Sequence, residues 1–271
     1  MAKQKATTSK QKKPLAIIPP TSAEALENDL TIELISSGDT AILPQLAATR
    51  PANQLDTTPL DLDAIIKSVA HLIATTPNHY KCIMFTDLVG STQYKREMGH
   101  TKGFMRNRMF CDICEQAVIR NNGTVVKRLG DGIMAVFETA IDAVLAAMLM
   151  VSSLENDRKK LKKIVGKMDC RIGITCGYVK EIPGVTKDYI GHAMDKGARI
   201  EGIAKTNQVL IDEIVYGLIH TKIRDYSGDI LIGAPKNVTL KGVGVSTLYE
   251  VSPKERGLVR STGYKLRHMF N

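Results

Sequence analysis

Apolar residues recur along this chain in two alternating rhythms. Between Leu60 and Thr75 they fall at Leu62, Ile65, Ile66, Val69, Leu72 and Ile73, the spacing that gives a helix one apolar face. Tyr80 to Thr86 is instead a short β-rich run closed by Asp87, which predicts a strand. Thr92 to Asn121 reads as a long helix, and Gly123 to Lys127 as a strand. Gly130-Asp131-Gly132 is a tight turn, with Ile133 to Phe137 returning as the second arm of a hairpin. Glu138 to Lys163 predicts another long helix with a basic exit. Cys170 to Thr175 and Tyr178 to Glu181 are expected to pair around Gly177, followed by a helix from Gly191 to Ala204. Val209 to Ile211, Asn237 to Leu240 and Thr247 to Val251 complete the strands. The order βαββαβ with late strands added predicts an α/β (α+β) fold. Its ferredoxin-like core is one open mixed sheet packed by helices.

The first 60 residues follow neither rhythm. They are rich in Thr, Ser, Pro, Lys and Gln, with turn signals at Pro19-Pro20, Ser37-Gly38 and Pro51, the composition of a flexible basic arm. The expected organisation is this arm (1–60), a lead-in helix (61–79), the folded domain (80–252) and a basic tail (253–271).

The 271 residues are 44% hydrophobic and 24% charged, enough for a sizeable core. Ala140 to Val151, the longest nearly apolar run, contains Asp142 and is shorter than the ~20 residues a bilayer crossing needs. Met1 to Lys13 is basic, but only Leu15 to Ile18 follows before Pro19-Pro20, so no secretory leader is expected. Five cysteines, an odd number in a long chain, are expected to be reduced thiols in a cytoplasmic protein. The net charge of +9 attracts polyanions. Its excess lies largely in the arm, in Arg158 to Lys167 and in the tail, with few interleaved aromatics, so a nucleic-acid partner is not expected. Cys111 and Cys114, beside Phe110, Ile113 and Ala117, read as core packing, as do Met148 and Met150. The six histidines show no ligand spacing.

Two segments carry chemistry. In Phe85-Thr86-Asp87-Leu88-Val89-Gly90-Ser91-Thr92, a carboxylate at a strand end precedes a small-residue turn that opens a helix. Such a turn aims backbone N–H groups and the positive end of a helix dipole at an anion; it is equally the form of an ordinary N-cap. Gly130-Asp131-Gly132, at a hairpin tip beside that strand, brings Asp131 next to Asp87. Asp-Gly is also a common hairpin turn. Two carboxylates at adjacent strand ends near a phosphate turn meet the requirement of a two-metal phosphoryl-transfer site.

From Lys81 to Val251 the chain resembles the class III nucleotide cyclases, the adenylyl/guanylyl cyclase catalytic domains. Phe85 to Thr92 is followed in family order by Val126-Lys127-Arg128-Leu129-Gly130-Asp131-Gly132, Arg171-Ile172-Gly173-Ile174 and Asp188-Tyr189-Ile190-Gly191. Ala198-Arg199-Ile200, Leu240-Lys241-Gly242-Val243 and Leu248-Tyr249-Glu250-Val251 complete the set. The resemblance implies that Asp87 and Asp131, with the Leu88 carbonyl, hold two divalent ions, Mg²⁺ or Mn²⁺. It implies that Lys127 and Asp188 read the base, that Arg199 neutralises the α-phosphate, and that Lys241 lies near the triphosphate. It also implies a head-to-tail homodimer with two shared sites, each taking its metals from one chain and Lys127, Asp188 and Arg199 from the other. One position departs from the family: Asp195 stands where an asparagine donates to the ribose oxygen, and an ionised Asp only accepts. Asp195 and Arg199, i and i+4 on one helix, are placed to pair with each other.

Lys127 and Asp188 imply adenine in the family, although cytosine shows the same donor and acceptor order and uracil offers N3–H to Asp and O4 to Lys. Guanine calls for an acid where Lys127 stands. Tyr94, seven residues after Asp87, either shortens the base pocket in favour of a pyrimidine or packs in the helix core. The chain shows no receptor or sensor module, which resembles the free-standing pyrimidine cyclases of antiphage (Pycsar) signalling. The expectation is therefore a cyclase making cUMP or cCMP for a downstream effector, with ATP as the alternative substrate.

Overall fold

The computed structural model describes residues 59–184, 188–224 and 230–253; the expected arm and tail lie outside them. Helix α1 (Leu62–Thr75) precedes strand β1 (Asn78–Leu88), which runs through the middle of a nine-stranded mixed sheet. Helices α2 (Ser91–Met98) and α3 (His100–Arg120) lead to the hairpin β2 (Thr124–Arg128) and β3 (Gly132–Phe137). Helices α4 (Ala140–Asn156) and α5 (Arg158–Val165) precede β4 (Cys170–Ile182) and β5 (Asp188–Ile190). Helix α6 (His192–Ile203), β6 (Gln208–Asp212) and α7 (Glu213–Ile219) follow. The sheet ends with β7 (Ile230–Ile232), β8 (Lys236–Leu240) and β9 (Gly244–Pro253). The strand order is β2-β3-β1-β4-β6-β9-β7, with β5 on β4 and β8 on β9.

Both faces of β1 are covered, as its unbroken apolar run requires. Cys82, Met84 and Leu88 face a core built with Phe110 of α3 and Val144 and Met150 of α4. Ile83 and Phe85 face the other side, against Ala193 of α6. Alternation along the strand puts Asp87 on this second face, the side covered by α6.

Three expected elements are divided differently. The long helix after Thr92 is two helices, because Gly99 takes φ +87° and separates α2 from α3. The second long helix breaks at Asp157. The turn expected at Gly177 is absent: Gly177 pairs with Lys81 inside a continuous β4, and β5 supplies the returning arm. Cys82 and Cys176 are direct cross-strand partners and are joined in a disulfide, which corrects the expectation of five free thiols. Cys111, Cys114 and Cys170 are free and buried. Met148 and Met150 lie in the core as expected.

Candidate active site

The two acids meet because β1 and β3 end together. Asp87 pairs with Gly132, and the Leu88 N–H donates to the Asp131 carbonyl at 3.0 Å. Only glycine fits at 132: a Cβ there would fall 1.8 Å from the Thr86 carbonyl oxygen. Gly90, at φ +71°, turns the chain into α2, and the Ser91 hydroxyl at the helix start donates to the Asp131 carboxylate. Asp87 and Asp131 thus flank the N-terminus of α2, with Leu88 between strand and turn.

Asp87 is held from behind. Arg171, its partner across the β1–β4 ladder, donates from Nη2 to Oδ2 at 2.5 Å. Arg171 Nε also lies 3.2 Å from Oε1 of Glu201 on α6. Burial raises the Glu201 carboxyl to about 7; Arg171 opposes this, while the charges of Asp87 and Asp131 add to it. A second arginine braces the turn: Arg106, 4% exposed, donates to the carbonyls of Val89 at 3.2 Å and Lys167 at 2.7 Å. Tyr94 packs here, its ring 4.7 Å from the Arg106 guanidinium and close against Gly166.

The remaining expected residues occupy other edges. A bulge in β2 between Val125 and Lys127 interrupts the ladder just before Lys127. The Lys127 ammonium contacts both Asp188 oxygens, at 2.7 and 2.8 Å, and this bonding holds the Asp188 carboxyl below its usual range against a smaller desolvation effect. Asp195 and Arg199 are both exposed on α6, with no ion pair joining them, so the pairing open to them in sequence is not made. Lys241 is exposed in the turn between β8 and β9. Helix α6 is anchored by Lys196, whose ammonium lies 2.7 Å from buried Asp212 and 2.8 Å from Glu213.

The donor set suits a hard divalent cation. Among the described residues no three His, Cys, Asp or Glu side chains form a metal cluster. Two adjacent carboxylates with a backbone carbonyl are nevertheless the sparse protein contribution that Mg²⁺ takes when substrate phosphates supply the rest. Asp87 already accepts a cation, the Arg171 guanidinium, on one oxygen.

A family profile described as the adenylate and guanylate cyclase catalytic domain matches residues 74–252. The chain belongs to that family. No curated protein matches this cyclase in sequence, but its fold is that of solved relatives. The adenylyl cyclase CyaB from P. aeruginosa is 21% identical with a TM-score of 0.57, over 68% of this chain and 98% of that one. The guanylate cyclase domain of RhGC from Catenaria anguillulae, solved with GTP, is 18% identical with a TM-score of 0.56, over 66% of this chain and 100% of that one. An adenylate/guanylate cyclase/hydrolase from Silicibacter pomeroyi is 21% identical with a TM-score of 0.55, over 66% and 100%.

Residue-level reading of the cyclase sequence missed Ser91, Arg106, Arg171 and Glu201 as parts of the site. Arg171 and Glu201 lay in or beside quoted motifs, and their adjacency to Asp87 depends on a β1–β4 register that no local pattern displays. Arg106 carried a weak signal, a charge on the apolar side of a helix.

Proposed function

We propose that the chain converts a nucleoside triphosphate to its 3′,5′-cyclic monophosphate and pyrophosphate. The observation that carries this reading is the placement of Asp87 beside Asp131 at the start of α2. The 3′-hydroxyl loses its proton, its oxygen bonds to the α-phosphorus, and the bond to the β-phosphate breaks. Asp87, Asp131 and the Leu88 carbonyl would hold two Mg²⁺ or Mn²⁺ ions. Bound there, the ions lower the pKa of the 3′-hydroxyl and take up triphosphate charge. The N–H groups opening α2 face the phosphates.

Lys127 and Asp188 form a donor–acceptor pair for a base edge, and Arg199 is an exposed cation for the α-phosphate. Both lie on parts of the fold other than the acid pair, which supports a head-to-tail homodimer whose sites each combine two chains. Lys241 adds positive charge near the triphosphate. Asp195 accepts from a ribose hydroxyl, where an amide would donate to the ring oxygen.

For the base, adenine, cytosine and uracil each satisfy Lys127 and Asp188, and guanine does not. We favour UTP or CTP, from the resemblance to the pyrimidine cyclases of antiphage signalling, with a cyclic-nucleotide effector downstream; ATP is the alternative. Tyr94, packed on Arg106 within its own chain, enters this reading only if its ring also bounds a base across the dimer, and Tyr94→Leu would then shift selectivity towards ATP.

The test is incubation of the full chain with each of the four nucleoside triphosphates and Mn²⁺, with products identified by mass spectrometry. A cyclic monophosphate from UTP or CTP supports the activity and the choice of base, one from ATP alone corrects the base, and one from GTP alone overturns the base-reading role of Lys127 and Asp188. Absence of any cyclic product overturns the activity.

A further inference from the structure

Six cations stand between Arg158 and Lys167, on helix α5 and the loop after it, and none of them enters the proposed reaction. Leu161 and Val165, four apart, are the buried residues of α5 and belong to the core. The opposite side carries Lys159, Lys160, Lys162 and Lys163, all exposed, with exposed Ile164 at the border.

This charge is uncompensated. Lys159 and Lys163 are four apart, and Lys160 and Lys163 three apart, spacings at which like charges destabilise a helix. The neighbouring acids are engaged elsewhere: Arg158 takes Glu155 at 3.0 Å, and Lys167 takes Asp169 at 2.6 Å. Asp157 stands at the start of the helix, where the dipole favours a negative charge. Among the described residues, no acid forms an ion pair with any of the four lysines. A helix that gathers repelling charge on one face, at a cost to itself, gains from a surface of opposite sign.

We propose that this face of α5 docks the protein on an anionic lipid surface. Four to eight clustered Lys and Arg on an amphipathic helix are drawn by the negative potential of such a surface. Lysine suits that field, because its compact ammonium is attracted at a distance while it keeps its water. Ile164, exposed beside the lysines, adds an apolar contact at the headgroup layer. Between Glu155 and Asp169 there is no aromatic residue to stack on a base or to anchor a protein interface, which sets the patch apart from both. The proposal does not depend on the cyclase reading.

The test is co-sedimentation of the full chain with vesicles of equal parts phosphatidylcholine and phosphatidylglycerol, beside vesicles of phosphatidylcholine alone. The wild type should bind the anionic vesicles only, and added salt should release it. The fourfold variant Lys159→Gln/Lys160→Gln/Lys162→Gln/Lys163→Gln should bind them on the order of a hundredfold more weakly. Its melting temperature and its nucleotide turnover without vesicles should stay at the wild-type level, since all four side chains are exposed. Should it fail to fold, Lys159→Gln/Lys163→Gln should show a loss on the order of tenfold. Lys3→Gln/Lys5→Gln/Lys10→Gln/Lys12→Gln removes the same charge from the first residues of the chain and should weaken binding far less. An equal loss in that variant would mean that net charge, and not α5, drives the attraction, and overturns the proposal. A wild type that ignores anionic vesicles overturns it too. So does one that binds duplex DNA through these lysines in preference to the vesicles, which would assign the patch to nucleic acid.

Discussion

The Lys127 ammonium grips both carboxylate oxygens of Asp188, 61 residues further along the chain, although each side chain is more than two-fifths exposed. An exposed pair contributes roughly 0–1 kcal/mol to stability. In the proposed reading its value lies in the edge it presents to a base. Lys127→Ala should leave the melting temperature nearly unchanged and lower kcat/KM on the order of a hundredfold, as loss of a polar base contact does. Lys127→Glu should raise GTP turnover relative to the other three nucleotides. An unaltered nucleotide profile in both variants would remove this pair from base reading.

Glu201 gives stability a pH dependence whose sign is fixed by burial. Its carboxyl titrates at about 7 in the folded chain against an ordinary value of 4.5, so the folded state holds this proton more tightly than the unfolded one. That contribution is complete below the unfolded value and is lost as pH rises through about 7. With metal chelated, the wild type should lose melting temperature relative to Glu201→Gln between about pH 5 and pH 8. Parallel curves would contradict it.

Lys196 and Asp212 are almost wholly enclosed, at 9% and 0% side-chain exposure, and tie α6 to β6. Thr175 also donates to Asp212 at 2.6 Å, and Asp212 caps α7 by accepting from the Val215 N–H. Lys196→Met removes the cation and leaves the acid buried, at a cost of about 3–5 kcal/mol. Urea unfolding should show this loss, with lower kcat because α6 presents Arg199. A loss under 1 kcal/mol would mean the acid is satisfied by its neutral partners.

The Cys82–Cys176 disulfide spans 94 residues. Constraint of the unfolded chain over a loop of that length stabilises by about 4–5 kcal/mol in the chain-entropy account. Unreduced protein, denatured and alkylated, should expose three thiols, Cys111, Cys114 and Cys170, and reduction should lower the melting temperature. Five labelled thiols without reductant would contradict the bond.

The sheet and its helices were legible because they rest on periodicity: the runs at Tyr80 and Ile133 and the apolar faces around Phe110 and Val144 admit few alternatives. The adjacency of Asp87 and Asp131 was legible because a hairpin turn next to a strand end leaves little freedom. What was hidden depended on register or on one backbone angle. Gly177 looks like a turn and is extended, because Lys81 pairs with it. Gly99 breaks a stretch that reads as one helix in sequence. Cys82 meets Cys176, and Arg171 meets Asp87, on one ladder that only tertiary packing sets. Tyr94 left two readings open, and in the folded chain its ring lies on Arg106.

The most direct measurement mixes two inactive chains. Asp131→Asn removes an acid from one, and Arg199→Ala removes the cation proposed for the α-phosphate from the other. Random pairing makes half the dimers mixed, and each mixed dimer has one of its two sites intact. The equimolar mixture should therefore recover about a quarter of wild-type cyclic nucleotide production. A mixture as inactive as its two components, although the chains exchange partners, would contradict a site shared between two copies.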